Sequence, residues 1–115
     1  ASAVLPWWSA RAASSAEDAL ARHDPDLALA RAADARAVNP LSLAPLLTRG
    51  AAFTDLGQPA RALGAYRAAT DLQPDNPEAW RALAIFLGDG PGARAAWEQV
   101  HRLDPRDPEA ALRAG

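Results

Sequence analysis

Leu46-Leu47-Thr48-Arg49-Gly50-Ala51-Ala52-Phe53, followed by Ala62-Leu63-Gly64-Ala65-Tyr66-Arg67-Ala68-Ala69 and closed by Pro74, is the stretch that decides how the 115-residue chain folds. In its first half Leu46, Gly50, Phe53 and Leu56 recur at spacings of three and four, which is a helical stripe and not the alternation of a strand. In its second half Ala62, Tyr66 and Ala69 repeat the pattern. Gly50 and Ala62 are small where two antiparallel helices must approach, whereas Phe53 and Tyr66 are large where they must fill space. The stretch therefore predicts a helical hairpin.

Working outward, the hairpin recurs. Pro40 and Pro74 lie 34 residues apart, and a third close ends at Pro105. Pro25 and Pro59 share that spacing and open helical runs, where a missing N–H costs nothing. In this register Ala28, Ala62 and Ala93 coincide, then Ala32, Tyr66 and Trp97, then Ala35, Ala69 and Val100. Upstream, Leu46-x-x-Arg49-Gly50-x-x-Phe53 aligns with Trp80-x-x-Leu83-Ala84-x-x-Leu87 and with Ala12-x-x-Ser15-Ala16-x-x-Ala19. Asn76-Pro77-Glu78, Asp107-Pro108-Glu109 and Asp24-Pro25-Asp26 each offer a capping side chain, a first-turn proline and an acid at the positive end of a helix dipole. Gly57 supplies a left-handed helix end before Pro59. Helices are expected at 8–22, 26–38, 43–56, 60–72, 78–88 and 92–103, with a seventh starting near 108.

Over about residues 9 to 105 this pattern resembles the tetratricopeptide repeat (TPR), whose 34 residues read Trp-x2-Leu-Gly-x2-Tyr, then Ala-x3-Phe, then Pro. The resemblance implies an all-α fold, a right-handed superhelix or solenoid of about three helical hairpins (9–42, 43–76 and 77–107) preceded by an N-terminal segment at 1–8 and followed by the start of a capping helix at 108–115. Ala28, Gly50, Phe53, Ala62, Tyr66, Ala69, Trp80, Leu83, Ala93 and Trp97 stand at its packing positions. Three departures have consequences. From Trp80 to Ala93 there are 13 residues, against 16 from Leu46 to Ala62, so the third hairpin is expected to be tighter and its helices shorter. Arg49 stands where an aliphatic residue is usual, with a stem that can cover apolar surface. The first hairpin has alanine at most contact positions and needs volume from Leu20 and the Trp7-Trp8 pair.

Composition narrows the function. Twelve arginines and no lysine stand against 14 acidic residues, giving a formal charge of -2, which is not the electrostatic footprint of a nucleic-acid binder. Half the residues are apolar, which argues against disorder. With no cysteine there is no thiolate metal site, disulfide or Cys nucleophile. His23 precedes a helix cap and His101 ends a helix; they lie far apart, and capping accounts for Asp24 and Asp26 beside His23 more simply than metal ligation. No nucleophile elbow, phosphate loop or dinucleotide glycine pattern occurs, and Gly88-Asp89-Gly90-Pro91-Gly92 follows a helix and reads as a turn. No catalytic residue, cofactor or metal is therefore expected.

What remains is recognition of a protein or peptide. In such solenoids the first helix of each pair lines the concave side. The outward positions there are Ala13, Ser14 and Glu17, then Leu47, Thr48 and Ala51, then Arg81 and Ile85. The lysine and asparagine with which co-chaperone TPRs clamp a carboxylate terminus do not carry over, since the chain has no lysine. The expected groove is Leu47, Thr48, Ala51, Arg81 and Ile85, mildly apolar around one cation. Weak self-association is expected through exposed ends, around Trp97, Val100 and Leu112 or around Trp7-Trp8. Finally, Val4-Leu5-Pro6-Trp7-Trp8-Ser9 and Val38-Asn39-Pro40-Leu41-Ser42 resemble the soluble TPR tails of bacterial O-antigen ligase or polysaccharide polymerase membrane proteins. That resemblance implies an extracytoplasmic domain excised behind a membrane span upstream of Ala1, with the tryptophans as its interfacial belt.

Overall fold

The computed structural model describes residues 15–115. The expected helix start at 8, the Trp7-Trp8 cap and the positions Ala12, Ala13 and Ser14 lie outside the described residues. Among those described the fold is all-α, with no strand. Helix α1 covers 15–21, and it is followed by α2 (Pro25–Val38), α3 (Ala44–Asp55), α4 (Pro59–Leu72), α5 (Pro77–Leu87), α6 (Pro91–Leu103) and α7 (Pro108–Ala114). The chain divides into two compact units, Ala1–Ala65 and Tyr66–Gly115, with the division inside α4.

Proline writes the helix starts. Five of the described helices open on one: α2, α4, α5 and α6 each begin one residue earlier than expected, α7 begins at Pro108 as expected, and Pro91 and Gly92 belong to α6 instead of to the turn before it. The caps follow the same logic. Asp24 accepts the Leu27 N–H at 3.2 Å, Asn76 the Glu78 N–H at 3.0 Å, and Asp107 the N–H groups of Glu109 and Ala110 at 3.0 and 3.1 Å. The closing prolines sit one residue into a reverse turn each time: Ser42 N–H donates to the Asn39 carbonyl, Asn76 to Gln73 and Asp107 to Asp104, across Pro40, Pro74 and Pro105.

The helix ends also repeat. Gly57 has a φ of 69°, and its N–H donates to the Thr54 carbonyl while Gln58 N–H reaches the Phe53 carbonyl, the paired bonds of a Schellman ending. One repeat earlier His23 does the same work with a φ of 59°: His23 N–H donates to Leu20 and Asp24 N–H to Ala19. A histidine Cβ is strained in this conformation and a glycine is not. His23→Gly is expected to raise stability by about 1 kcal/mol, read as a higher urea midpoint at unchanged slope.

The third hairpin corrects one expectation. Three residues separate its helices, as in the other two, so the connection is no shorter. The three missing residues come from the helix ends: α5 ends seven residues after Trp80 where α3 ends nine after Leu46, and α6 begins two residues before Ala93 where α4 begins three before Ala62. Gly88 and Gly90, with φ of 75° and 104°, turn the chain there.

Alanine makes most of the core. Fourteen of the nineteen buried apolar residues among those described are alanines, so the helices meet backbone to backbone with few large side chains between them. The buried stripe of α2 is Ala28, Ala32 and Ala35. Ala28 clusters with Ala19 and Ala52, and Leu20 and Leu29 pack against that cluster, so Leu20 does add volume to the first hairpin. In the second unit α6 packs on both α5 and α7. Its stripe of Ala93, Ala96, Trp97 and Val100 is buried. Exposure of Trp97 and Val100 at this end was expected and is not found: they are 3% and 0% exposed, because α7, short as it is, lies over α6 and lays the Arg113 guanidinium 5.8 Å from the Trp97 ring. Leu112 alone of the three is open, at 82%.

Candidate functional site

The expected groove positions lie on α3, in the first unit, and on α5, in the second. On α3, Leu47 and Ala51 are half-buried. Thr48 is buried, contrary to its expected outward place. The reason is that α3 is covered along two stripes, Leu46-Gly50-Phe53 and Pro45-Thr48-Ala52, where a helix at the edge of a stack would be covered along one. Arg49 lies on the exposed side with its guanidinium carbon 5.1 Å above the Phe53 ring, and Arg61 of α4 approaches the same ring at 5.9 Å. The unusual arginine thus covers an aromatic face and adds a cation–π contact.

On α5, Ala79, Leu83 and Ala84 form the buried face, and Trp80 is half-buried with its indole N–H donating to the Pro74 carbonyl at 2.8 Å. Tyr66 is half-buried too, its ring 5.1 Å from that of Phe86. The other packing positions, Ala28, Gly50, Phe53, Ala62, Ala69, Ala93 and Trp97, are buried. Ile85 is 62% exposed, a large apolar side chain open on a helix whose opposite face is core.

Arg81 was expected as the one central cation of the groove. The structure commits it: one terminal nitrogen bonds Asp107 Oδ2 and the other lies 3.5 Å from Glu78. Asp107 does two tasks, since its Oδ1 caps α7 while its Oδ2 receives Arg81, so one carboxylate starts α7 and ties it to α5. The Ala110 N–H first, then Arg81 and the Glu109 N–H, hold the Asp107 carboxyl below its ordinary value of 3.8, against burial that pushes it up. A depressed carboxylate contributes stability that is whole above the unfolded value and lost as pH falls through the folded one. The excess stability of the native chain over Asp107→Asn is therefore expected to be constant above about pH 5 and to shrink below it, measured by urea titrations at a series of pH values. The sequence offered Asp107 only as a cap; its tie to Arg81 spans 26 positions and has no local signal.

His23 and His101 are both exposed. Asp24, beside His23, gives its carboxylate to the Leu27 N–H. Among the described residues no cluster of His, Asp or Glu has the grouping of a metal site, and no helix is long and apolar enough to cross a membrane.

Comparison with known proteins agrees with this architecture. Residues 43–86 match the tetratricopeptide repeat family. No curated protein gives a match. Among solved structures, the first TPR of Spaghetti (RPAP3), bound to the HSP90 peptide SRMEEVD, superposes with a TM-score of 0.74 at 18% identity, over 90% of this chain and 85% of that one. The chain thus has the fold of a TPR helical-hairpin solenoid, and its middle segment carries the repeat's sequence pattern.

Proposed function

We propose that this chain is a non-enzymatic protein-interaction module that binds a peptide or a partner helix on the outward faces of the first helices of its pairs. The observation that carries this reading is Ile85, 62% exposed on α5 where the opposite face of the helix is fully packed. Leu47 and Ala51 hold the corresponding positions of α3 and are half-buried, whereas Thr48 is buried. The TPR fold, and a neighbour of that fold holding a peptide, support the reading. Hairpins at 9–42, 43–76 and 77–107 are the units we propose for the module.

Selection from a random peptide library, followed by amide-shift mapping of a selected peptide on the isotope-labelled chain, tests this. Shifts gathered at Leu47, Ala51, Arg81 and Ile85 are expected; shifts gathered on α2, α4 and α6 would overturn the groove. The second reading, an extracytoplasmic accessory domain of a bacterial O-antigen ligase or polysaccharide polymerase, rests on the text of residues 4–9 and 38–42 alone.

A further inference from the structure

The beginning of α7 repeats the beginning of α5. Asp107-Pro108-Glu109-Ala110 lies in register with Asn76-Pro77-Glu78-Ala79, and the structure treats the two alike: Asn76 and Asp107 cap their helices, and Ala79 and Ala110 are both 0% exposed. Leu112 then holds in α7 the place that Arg81 holds in α5. The bond from Arg81 to Asp107 ties the two helices together. Ile85, one turn beyond Arg81, and Leu112 are two of the most exposed large apolar residues among those described, at 62% and 82%.

The charges of these two helices are already matched. Arg81 is the one basic residue of α5 and is shared by Glu78 and Asp107; Arg113 is the one basic residue of α7 and pairs with Glu109 at 3.1 Å. Each guanidinium of these helices already faces a carboxylate, and the one Arg81 donor left without a partner, Nε, is buried. Carboxylate capacity is in excess, because two acids share Arg81 and the Glu78 side chain is 63% exposed.

From this, and resting on the groove reading above, we infer that the α5–α7 face takes an apolar peptide segment carrying a basic residue, with its apolar side chains on Ile85 and Leu112 and its cation at Glu78, and that it rejects an acidic tail. An acidic tail would have to displace Glu78 or Asp107 from Arg81, and the fixed negative charge would oppose its approach.

Fluorescence anisotropy with the 115-residue chain and two labelled probes tests the inference. One probe is the peptide SRMEEVD; the other is an amidated eight-residue peptide of leucine, alanine and lysine. Binding of the leucine–lysine peptide is expected, weakened about fivefold by Ile85→Ser and by Leu112→Ser, the equivalent of about 1 kcal/mol of lost apolar burial. Glu78→Gln is expected to weaken it and to flatten its salt dependence. Leu41→Ser, at an exposed leucine on the turn after α2, should leave it unchanged. Circular dichroism of each variant checks that the fold is kept. SRMEEVD should give no saturable signal. Binding of SRMEEVD that Ile85→Ser abolishes would overturn the inference and leave the groove standing. Leucine–lysine binding indifferent to Ile85 and Leu112, or no binding of that peptide, would overturn the inference, whereas the groove itself stands or falls on the amide mapping.

Discussion

Trp97→Ala is expected to destabilise the fold by ~3–5 kcal/mol, the range for emptying a buried aromatic site. Trp97 is 3% exposed, in a core otherwise made mostly of alanine. Alanines have no side chain to swing into the space, and the helix backbones that meet there cannot collapse without losing their other contacts, so the upper part of the range applies. The loss should fall on both neighbours of α6, since α6 packs on α5 and on α7 and Arg113 lies over the ring. Trp97→Phe separates volume from polarity. The indole N–H of Trp97 is buried without a hydrogen-bond partner, a standing cost that phenylalanine removes. The phenylalanine variant would keep part of the volume and lose no hydrogen bond, so its cost should be well under half that of alanine. Urea denaturation followed by far-ultraviolet circular dichroism reads both; equal losses in the two variants would mean that Trp97 acts through something other than the space it fills.

The legibility of this fold tracks the range of each interaction. Caps, first-turn prolines and the turns across Pro40, Pro74 and Pro105 are written within a few residues, and they appear in the structure where the sequence puts them. The register of Ala28, Ala62 and Ala93 was legible because it repeats, and all three are buried. Three features were not legible. His23 does not announce a left-handed residue; only its place one repeat before Gly57 does. Thr48 reads as outward on a helix with one buried stripe, and α3 has two. Arg81 reads as the groove's one cation, and its pairing with Asp107, 26 positions away, has no local signal. In the candidate site, therefore, the apolar member Ile85 could be read locally, while the charged member changed its meaning through a partner distant in sequence.

Ala62 and Gly64, two residues apart on α4, should respond in opposite directions when enlarged. Ala62 is 0% exposed, on the helix that also sets Arg61 over the Phe53 ring of α3. In a core of this kind an added isopropyl group has no void to enter, so Ala62→Leu must move a helix or force strained rotamers, at a cost of ~1–3 kcal/mol. Gly64 is on the exposed side of the same helix, and a Cβ built there meets nothing within 4 Å. Gly64→Ala adds no clash and removes backbone freedom from the unfolded chain, so it should stabilise by up to about 1 kcal/mol. The pair is its own control, because helix propensity favours the new residue at Gly64 and differs little between alanine and leucine at Ala62. Guanidinium titration of both variants beside the parent decides it. A midpoint for Ala62→Leu at or above that of the parent would mean that α4 faces its neighbours along a different stripe from the one that begins at Ala62.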